Sequence, residues 1–460
     1  MGGRLAAGGA VTQSPTPPPQ RPRRFGNLIA DPAPLRLDRD FRLLWTGQAI
    51  SIIGRTITQV VLPYQVYVLT GDLLALGALS LVQLLPILTF ALGGGAIADA
   101  VDRRRLLLIT QTGLALASLA FVGLALLPAP PVIALFAVAF IQAGLGAVDQ
   151  PARGSALPRL VPPERLQAAI AMNQLVWNGG AVIGPAIGGL LLATVGIAPA
   201  YLLDVVTFGA AIAAVYMIKP IPPAPGAARP SLRSIGEGLR FARSRRPVLA
   251  TFVVDINAMV FGSPRTLYPA LALTVFHAGP AGVGLMAAAE GIGAFAASVF
   301  SGWTTHLRRP GRGVLIAVAV WSIGIVGFGL ASFSFPLALL CLAVAAGADV
   351  ISAVLRTSIV QLLTPDQLRG RVSSIHILVV TGGPRVGDAE ASAVGAIAGP
   401  QLSAVSGGLL SLVGVGLIAL ALPEFRRLDM AVETARDRVP DGTMAADGTI
   451  AVDGTIAVED

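Results

Sequence analysis

Between residues 41 and 422 the chain is a succession of long apolar runs, each broken off by a short polar, proline-rich or charged connection. A helix of about 20 apolar residues crosses the hydrocarbon core of a bilayer. Inside that core each segment must satisfy its own backbone polar groups. A chain with many such runs can therefore fold only as a bundle of spanning helices. The runs fall at approximately 41–69, 73–98, 106–127, 132–157, 166–193, 199–218, 248–276, 281–303, 314–331, 336–360, 371–394 and 403–422. They predict an all-α membrane protein of twelve transmembrane helices. Composition agrees: 54% of the 460 residues are hydrophobic and 13% are charged, where a soluble domain is about a quarter charged.

Arginines sort the connections into two sets. One set carries Arg103 to Arg105, Arg159 and Arg165, Arg308, Arg309 and Arg312, and Arg369 and Arg371. The alternate set reads TGD, PAPP, TVGIAP, HAGPAG and SFSF, without Lys or Arg. By the positive-inside rule the arginine side is cytoplasmic, and both termini fall on it, flanked by Arg21, Arg23 and Arg24 and by Arg426 and Arg427. The net charge of +8 is thus explained by topology and anionic lipid, which argues against nucleic-acid binding.

Single cysteine Cys341 excludes an internal disulfide. The three histidines, His277, His306 and His376, lack metal-ligand spacing, so neither a metal nor a cofactor is expected. The one lysine, Lys219, lies in no glycine-rich turn, so the chain has no P-loop. Residues 1–37 form a Pro- and Arg-rich tail predicted to be disordered, without a removable signal peptide. Residues 426–460 form a second disordered tail, ending in a low-complexity six-residue repeat.

The longest polar interior stretch, 219–246, divides the spans into six-helix halves at 38–218 and 247–425. Leu232, Ile235 and Leu239 in it have helical spacing, so it reads either as a basic amphipathic helix on the inner membrane surface or as a solvated linker. The halves echo each other: LVPPERLQAA follows the fourth span and LLTPDQLRGR the tenth. Such duplication marks transporter folds whose site lies between the halves.

The stretch GAIADAVDRRR, Gly95 to Arg105, resembles the cytoplasmic loop signature of the major facilitator superfamily. GAVIGPAIGG, containing Gly180, Gly184, Pro185, Gly188 and Gly189, is similar to the fifth-helix signature of its antiporters. ARGSALPRLVPPERLQAAIAMNQL and LYPALALTVFHAGPAGVGLMAAAEGIGA resemble the branch that contains the enterobactin exporter and drug–proton antiporters. The likeness covers about residues 38–425 and implies the major facilitator fold. It also implies a conformational lock at Gly95, Asp99, Asp102, Arg103 and Arg104. Asp149 and Arg153, four apart, either join that lock or form a local ion pair. Two positions depart from the family pattern. Ala171 replaces the first glycine of the fifth-helix motif, and Ala139 stands where many drug antiporters carry a coupling arginine.

Ionisable residues within spans are costly and usually line a pathway or pair with one another. Arg55, Arg265, Glu290, Asp349, Arg385 and Asp388 are the candidates for the cavity and for proton coupling, with Glu290 and Asp388 as proton carriers. Tyr64, Gln65 and Asn173 could add hydrogen bonds. The expected function is secondary active, proton-driven export of a siderophore or amphipathic drug by a monomer in a bacterial inner membrane. Alternatives are uptake of a small polar nutrient, or a non-transporting sensor or scaffold. A polytopic enzyme has no visible catalytic set.

Overall fold

The structure, a computed structural model, describes residues 33–222 and 232–429. It omits the side chains of 91–100 and of a few positions within 232–238, 305–306 and 366–377. The described residues are helical, without strands. The first half contains α1 (Arg39–Thr70), α2 (Leu73–Ala100), α3 (Arg103–Ala125), α4 (Val132–Leu160), α5 (Pro163–Thr194) and α6 (Ile197–Tyr216). The second contains α7 (Arg246–Phe261), α8 (Gly279–Phe300), α9 (Pro310–Leu330), α10 (Phe335–Leu363), α11 (Asp366–Ala398) and α12 (Pro400–Ala421).

Ten helices among the described residues are long and apolar enough to cross a membrane. The other two of the twelve long elements, α1 and α11, have 32 and 33 residues but are more polar. Their polar groups turn into the bundle. Gln48, Ser51, Thr56, Thr58 and Gln65 of α1 and Asp388 and Ser392 of α11 are all buried. Their low hydropathy reflects what they face.

The most extensive packing in the first half joins α1 to α5 and α6, α3 to α4 and α6, and α2 to α4. In the second half the pairs are α7 with α11 and α12, α9 with α10 and α12, and α8 with α10. Apart from α11, which also packs on α12, the second set is the first moved along by six helices. Two pairs, α2 with α11 and α5 with α8, join the halves, and the same shift exchanges them. The echo LVPPERL/LLTPDQL acquires a structural meaning: α4 and α10 are both 29 residues long, and Pro162 and Pro365 cap the helices that follow. A proline before the first helical turn forfeits no helical hydrogen bond.

The seventh span departs from the single run expected at 248–276. α7 stops at Phe261, and after Gly262–Pro264 the chain resumes as a 3-10 turn, Arg265–Leu267. A short helical turn, Tyr268–Ala270, and a π-helical stretch, Leu271–Val275, complete it. Pro264 cannot donate to the carbonyl four residues back and its ring crowds it. Gly262 lies flat against Trp321, where a Cβ would collide with the indole. Discontinuous helices at mid-membrane are a recurrent source of transporter sites. Part of the linker is helical too: Leu232–Ser244 packs on α7 and α11, and its Glu237 pairs with Arg371.

The GAVIGPAIGG stretch works as a two-sided packing surface. With lipid on the outside, helices gain little from hydrophobicity and associate through close van der Waals approach. A Cβ on Gly180 would meet Ile52 at 2.8 Å, and one on Gly184 would strike Thr56. Both residues therefore face α1, whose Thr56 hydroxyl donates to the Gly180 carbonyl at 3.1 Å. Gly189 points the other way, onto Gly284 of α8, where the two backbones touch across the halves. Farther along α2, Gly77 packs on Ala389 and Ser392 of α11. Both contacts lie at the end away from the arginine-bearing loops.

Candidate functional site

A cavity of about 250 Å³ opens where α1, α5, the broken α7, α8, α9 and α10 converge. Its polar wall comes mainly from the second half. Arg265 begins the second segment of α7, and its Nε donates to Glu290 Oε2 of α8 at 2.7 Å. The Tyr268 hydroxyl donates to the other Glu290 oxygen at 2.6 Å. Both carboxylate oxygens are thus held, while the Arg265 side chain stays 67% exposed and free to meet a ligand. Asp349 of α10 also lines the cavity. Thr56, Gln59 and Pro185 supply part of the first-half wall.

Asp349 connects the cavity to an ion pair that the sequence reading passed over. Arg356, one of the largest fully buried side chains, sits 2.9 Å from Asp255 of α7 and 3.6 Å from Asp349. It also donates to the Ser352 hydroxyl one turn back at 2.8 Å. Removing one partner would strand a charge, which costs far more than the pair itself contributes. The repeat was the signal available for it. Arg356 lies seven residues before the end of α10, as Arg153 lies seven before the end of α4.

The remaining interior candidates lie elsewhere. Asp388 sits where α2, α7 and α11 meet. It accepts from Ser263 at 3.0 Å and, across the halves, from Ser80 at 3.3 Å, with Arg385 4.0 Å away. Arg55 lies within the first half with Asn173, in a separate pocket of about 160 Å³. Gln65 accepts from the buried Tyr201 hydroxyl at 2.8 Å. Asp204 gathers hydrogen bonds from Thr58 and Ser118, both 2.7 Å.

The loop residues divide as well. Gly95 and Asp99 fall in the last turns of α2, and the Asp99 side chain lies outside the described residues. Asp102 caps α3 by accepting from the Arg105 amide at 2.9 Å. Arg103 is buried, donating to Ser155 of α4 and to the Pro222 carbonyl at the start of the linker. Arg104 reaches the carbonyls of Val215 and Tyr216 at the end of α6. A cation at a helix C-terminus is favoured by the partial negative charge there. Asp149 pairs with Arg153 at 3.1 Å and accepts from Thr110 at 2.7 Å, so its ion pair is local to α4. Among the described residues no group of His, Cys, Asp and Glu could hold a metal ion.

The geometry, paired halves with a polar cavity between them, is that of a carrier. Comparison with known proteins points the same way. The family model described as "Transmembrane secretion effector" matches residues 29–454. Proteins named enterobactin exporter EntS are similar over most of their length. That of Citrobacter koseri is 30% identical over 87% of this chain and 95% of its own, and one from Escherichia coli is 29% identical over 84% and 92%. Among solved structures, a bacterial homologue of the iron transporter ferroportin in an inward-facing state superposes with a TM-score of 0.66. It is 16% identical and covers 85% of this chain and all of its own. A POT family transporter in complex with 5-aminolevulinic acid gives 0.67 at 14% identity, covering 84% and 97%. At such identities these structures speak for the fold. The chain is a multi-pass membrane transporter, not an enzyme, and belongs to the transmembrane secretion effector family of the major facilitator superfamily.

Proposed function

We propose that the protein exports an amphipathic small molecule, a siderophore or drug-like compound, across a bacterial inner membrane in exchange for protons, as a monomer. The observation that carries this reading is the cavity between the halves, where the exposed Arg265 guanidinium is held by Glu290 and Tyr268 beside Asp349. Similarity to proteins named as enterobactin exporters supports the direction of transport. Twelve spans with both termini and the arginine loops in the cytoplasm follow from the charge pattern.

Alternating access is rocking of one half against the other about this cavity. The closed end, at Gly189–Gly284 and Gly77–Ser392, then lies outside, and the cavity faces the cytoplasm. Gly95, Asp99, Asp102, Arg103, Arg104, Asp149 and Arg153 latch the cytoplasmic ends in the opposite state. Asp388 is the proton carrier. Its Ser80 hydrogen bond crosses the halves, so protonation there would bear directly on their contact.

Inside-out vesicles energised by a proton gradient test this. Accumulation of a catecholate siderophore or of lipophilic cations by wild type, lost in Asp388→Asn, supports coupled export through Asp388. Normal accumulation by the variant removes Asp388 from the coupling. Absence of accumulation for every compound overturns the export reading.

A further inference from the structure

The pocket inside the first half is not part of the central cavity, and its chemistry is different. It lies between α1, α4 and α5, with Leu114 and Phe208 closing it from α3 and α6. One wall is apolar: Trp177, Phe208, Leu114 and Ile52. The other is rich in unspent hydrogen-bond donors.

Arg55 makes no hydrogen bond or ion pair among the described residues. Its Nε is buried without a partner, and its one polar contact is with the face of Trp177, 4.7 Å from guanidinium to ring. Buried Nη1 of Arg153 and Nε2 of Gln48 also lack partners, and Gln48 is 5% exposed. Asp149 attracts Arg55 through space but makes no hydrogen bond to it, its oxygens accepting from Thr110 and Arg153. Among the lining residues two guanidinium groups, Arg55 and Arg153, face one carboxylate, Asp149, and the second carboxylate that attracts Arg55, Asp204, lies behind the wall. A guanidinium without hydrogen-bond partners at this depth is costly, and a planar fork of donors matches an oxyanion in both charge and geometry.

We propose that this pocket binds an amphipathic organic monoanion, an aromatic carboxylate being the simplest form. Arg55 and Gln48 hold its acid group, with Arg153 Nη1 at the edge, and its ring lies against Trp177 and Phe208. The cavity, about 160 Å³, suits such a ring, since a protein cavity of about 150 Å³ accommodates benzene. The apolar wall favours an organic acid over a hydrated inorganic ion.

The pocket also has a place in the path. On α1 and α5 its lining lies one helical turn from that of the central cavity, Arg55 beside Gln59 and Trp177 beside Ala181. It lies nearer the arginine loops, so cargo entering from that end reaches it first. As a waiting site for cargo it rests on the transport reading. As a binding site it does not.

Calorimetric titration of the full-length protein in nanodiscs, without a gradient, separates the two. Benzoate is the probe, benzamide its neutral counterpart and chloride the inorganic competitor. One benzoate should bind per chain, benzamide at least tenfold more weakly, and equimolar chloride should not displace it. Arg55→Gln should weaken benzoate at least tenfold and Arg55→Lys only a few fold. Should Arg55→Gln fail to fold, Gln48→Leu should still cost about threefold. Benzoate should quench tryptophan fluorescence in wild type and not in Trp177→Phe. The proposal is overturned by wild-type affinity in Arg55→Gln or Gln48→Leu, by equal binding of benzamide, or by displacement with chloride. It also falls if no benzoate binds, or if Arg265→Gln rather than Arg55→Gln abolishes binding, which would move the anion to the central cavity. Benzoate binding in a protein that transports nothing would leave this site standing and sink the transport reading alone.

Discussion

Replacing Gly284 by alanine tests whether contact between α5 and α8 holds one end of the transporter shut. The two helices cross so closely that a Cβ on Gly284 would lie 2.5 Å from the Gly189 Cα and from the Pro185 carbonyl oxygen. Carbon atoms rest at about 3.5–4.0 Å, so the helices must part by about 1 Å. Neither obstructing atom belongs to a side chain that can rotate away. Overpacking of this kind costs about 1–3 kcal/mol. The cost falls only on the state in which these ends touch, because α5 and α8 belong to different halves. A free-energy change of that size shifts a two-state equilibrium by about 5- to 150-fold. Spin labels at Val195→Cys and Ile397→Cys, in a Cys341→Ser background, report the separation by pulsed electron resonance. These two exposed positions lie at the same end on opposite halves. Gly284→Ala should move the distance distribution toward the separated form by at least fivefold. Gly123 of α3 faces open space, so Gly123→Ala should leave it unchanged. An unaltered distribution in a folded Gly284→Ala protein would refute the reasoning, and so would an equal shift in the Gly123 control.

The Arg356–Asp255 pair should behave as a buried pair does: Arg356→Leu alone costs about 3–5 kcal/mol, read as a lowered Tm in detergent. Adding Asp255→Leu should recover most of that loss, and a further fall in Tm would count against the pairing. Thr58→Val removes one of two hydroxyl donors to the buried Asp204, so stability should drop by about 1–3 kcal/mol, and no change in Tm would mean that Ser118 alone suffices. Glu290→Gln keeps the size of the side chain but ends the ion pair with Arg265. Uptake into inside-out vesicles should fall at least tenfold at normal expression, and wild-type uptake would take Glu290 out of the transport cycle.

The bundle was legible in the sequence because bilayer thickness dictates run length, and that signal is local. What stayed hidden depends on which way a side chain faces. The α7 break is written in Gly262-Ser263-Pro264, yet hydropathy passes straight over it, because a mid-span proline is tolerated wherever neighbours satisfy the freed backbone groups. The sequence grouped Arg265 and Glu290 among the cavity candidates, and the two form an ion pair on the cavity wall. The same reasoning grouped Arg55 with them, although it lies on another cavity one turn away. Depth is readable from position along a span, but azimuth requires a partner, and α1 shows why. It is polar on several faces, with Gln48 and Ser51 turned to one pocket, Thr56 and Gln59 to the other, and Thr58 to Asp204. An amphipathic pattern could not name a single buried face on it, since three distinct polar environments surround the one helix. Arg356 was missed for a related reason. At the end of a span an arginine looks like a topological anchor, and only Asp255, a hundred residues away in the chain, makes it an interior charge.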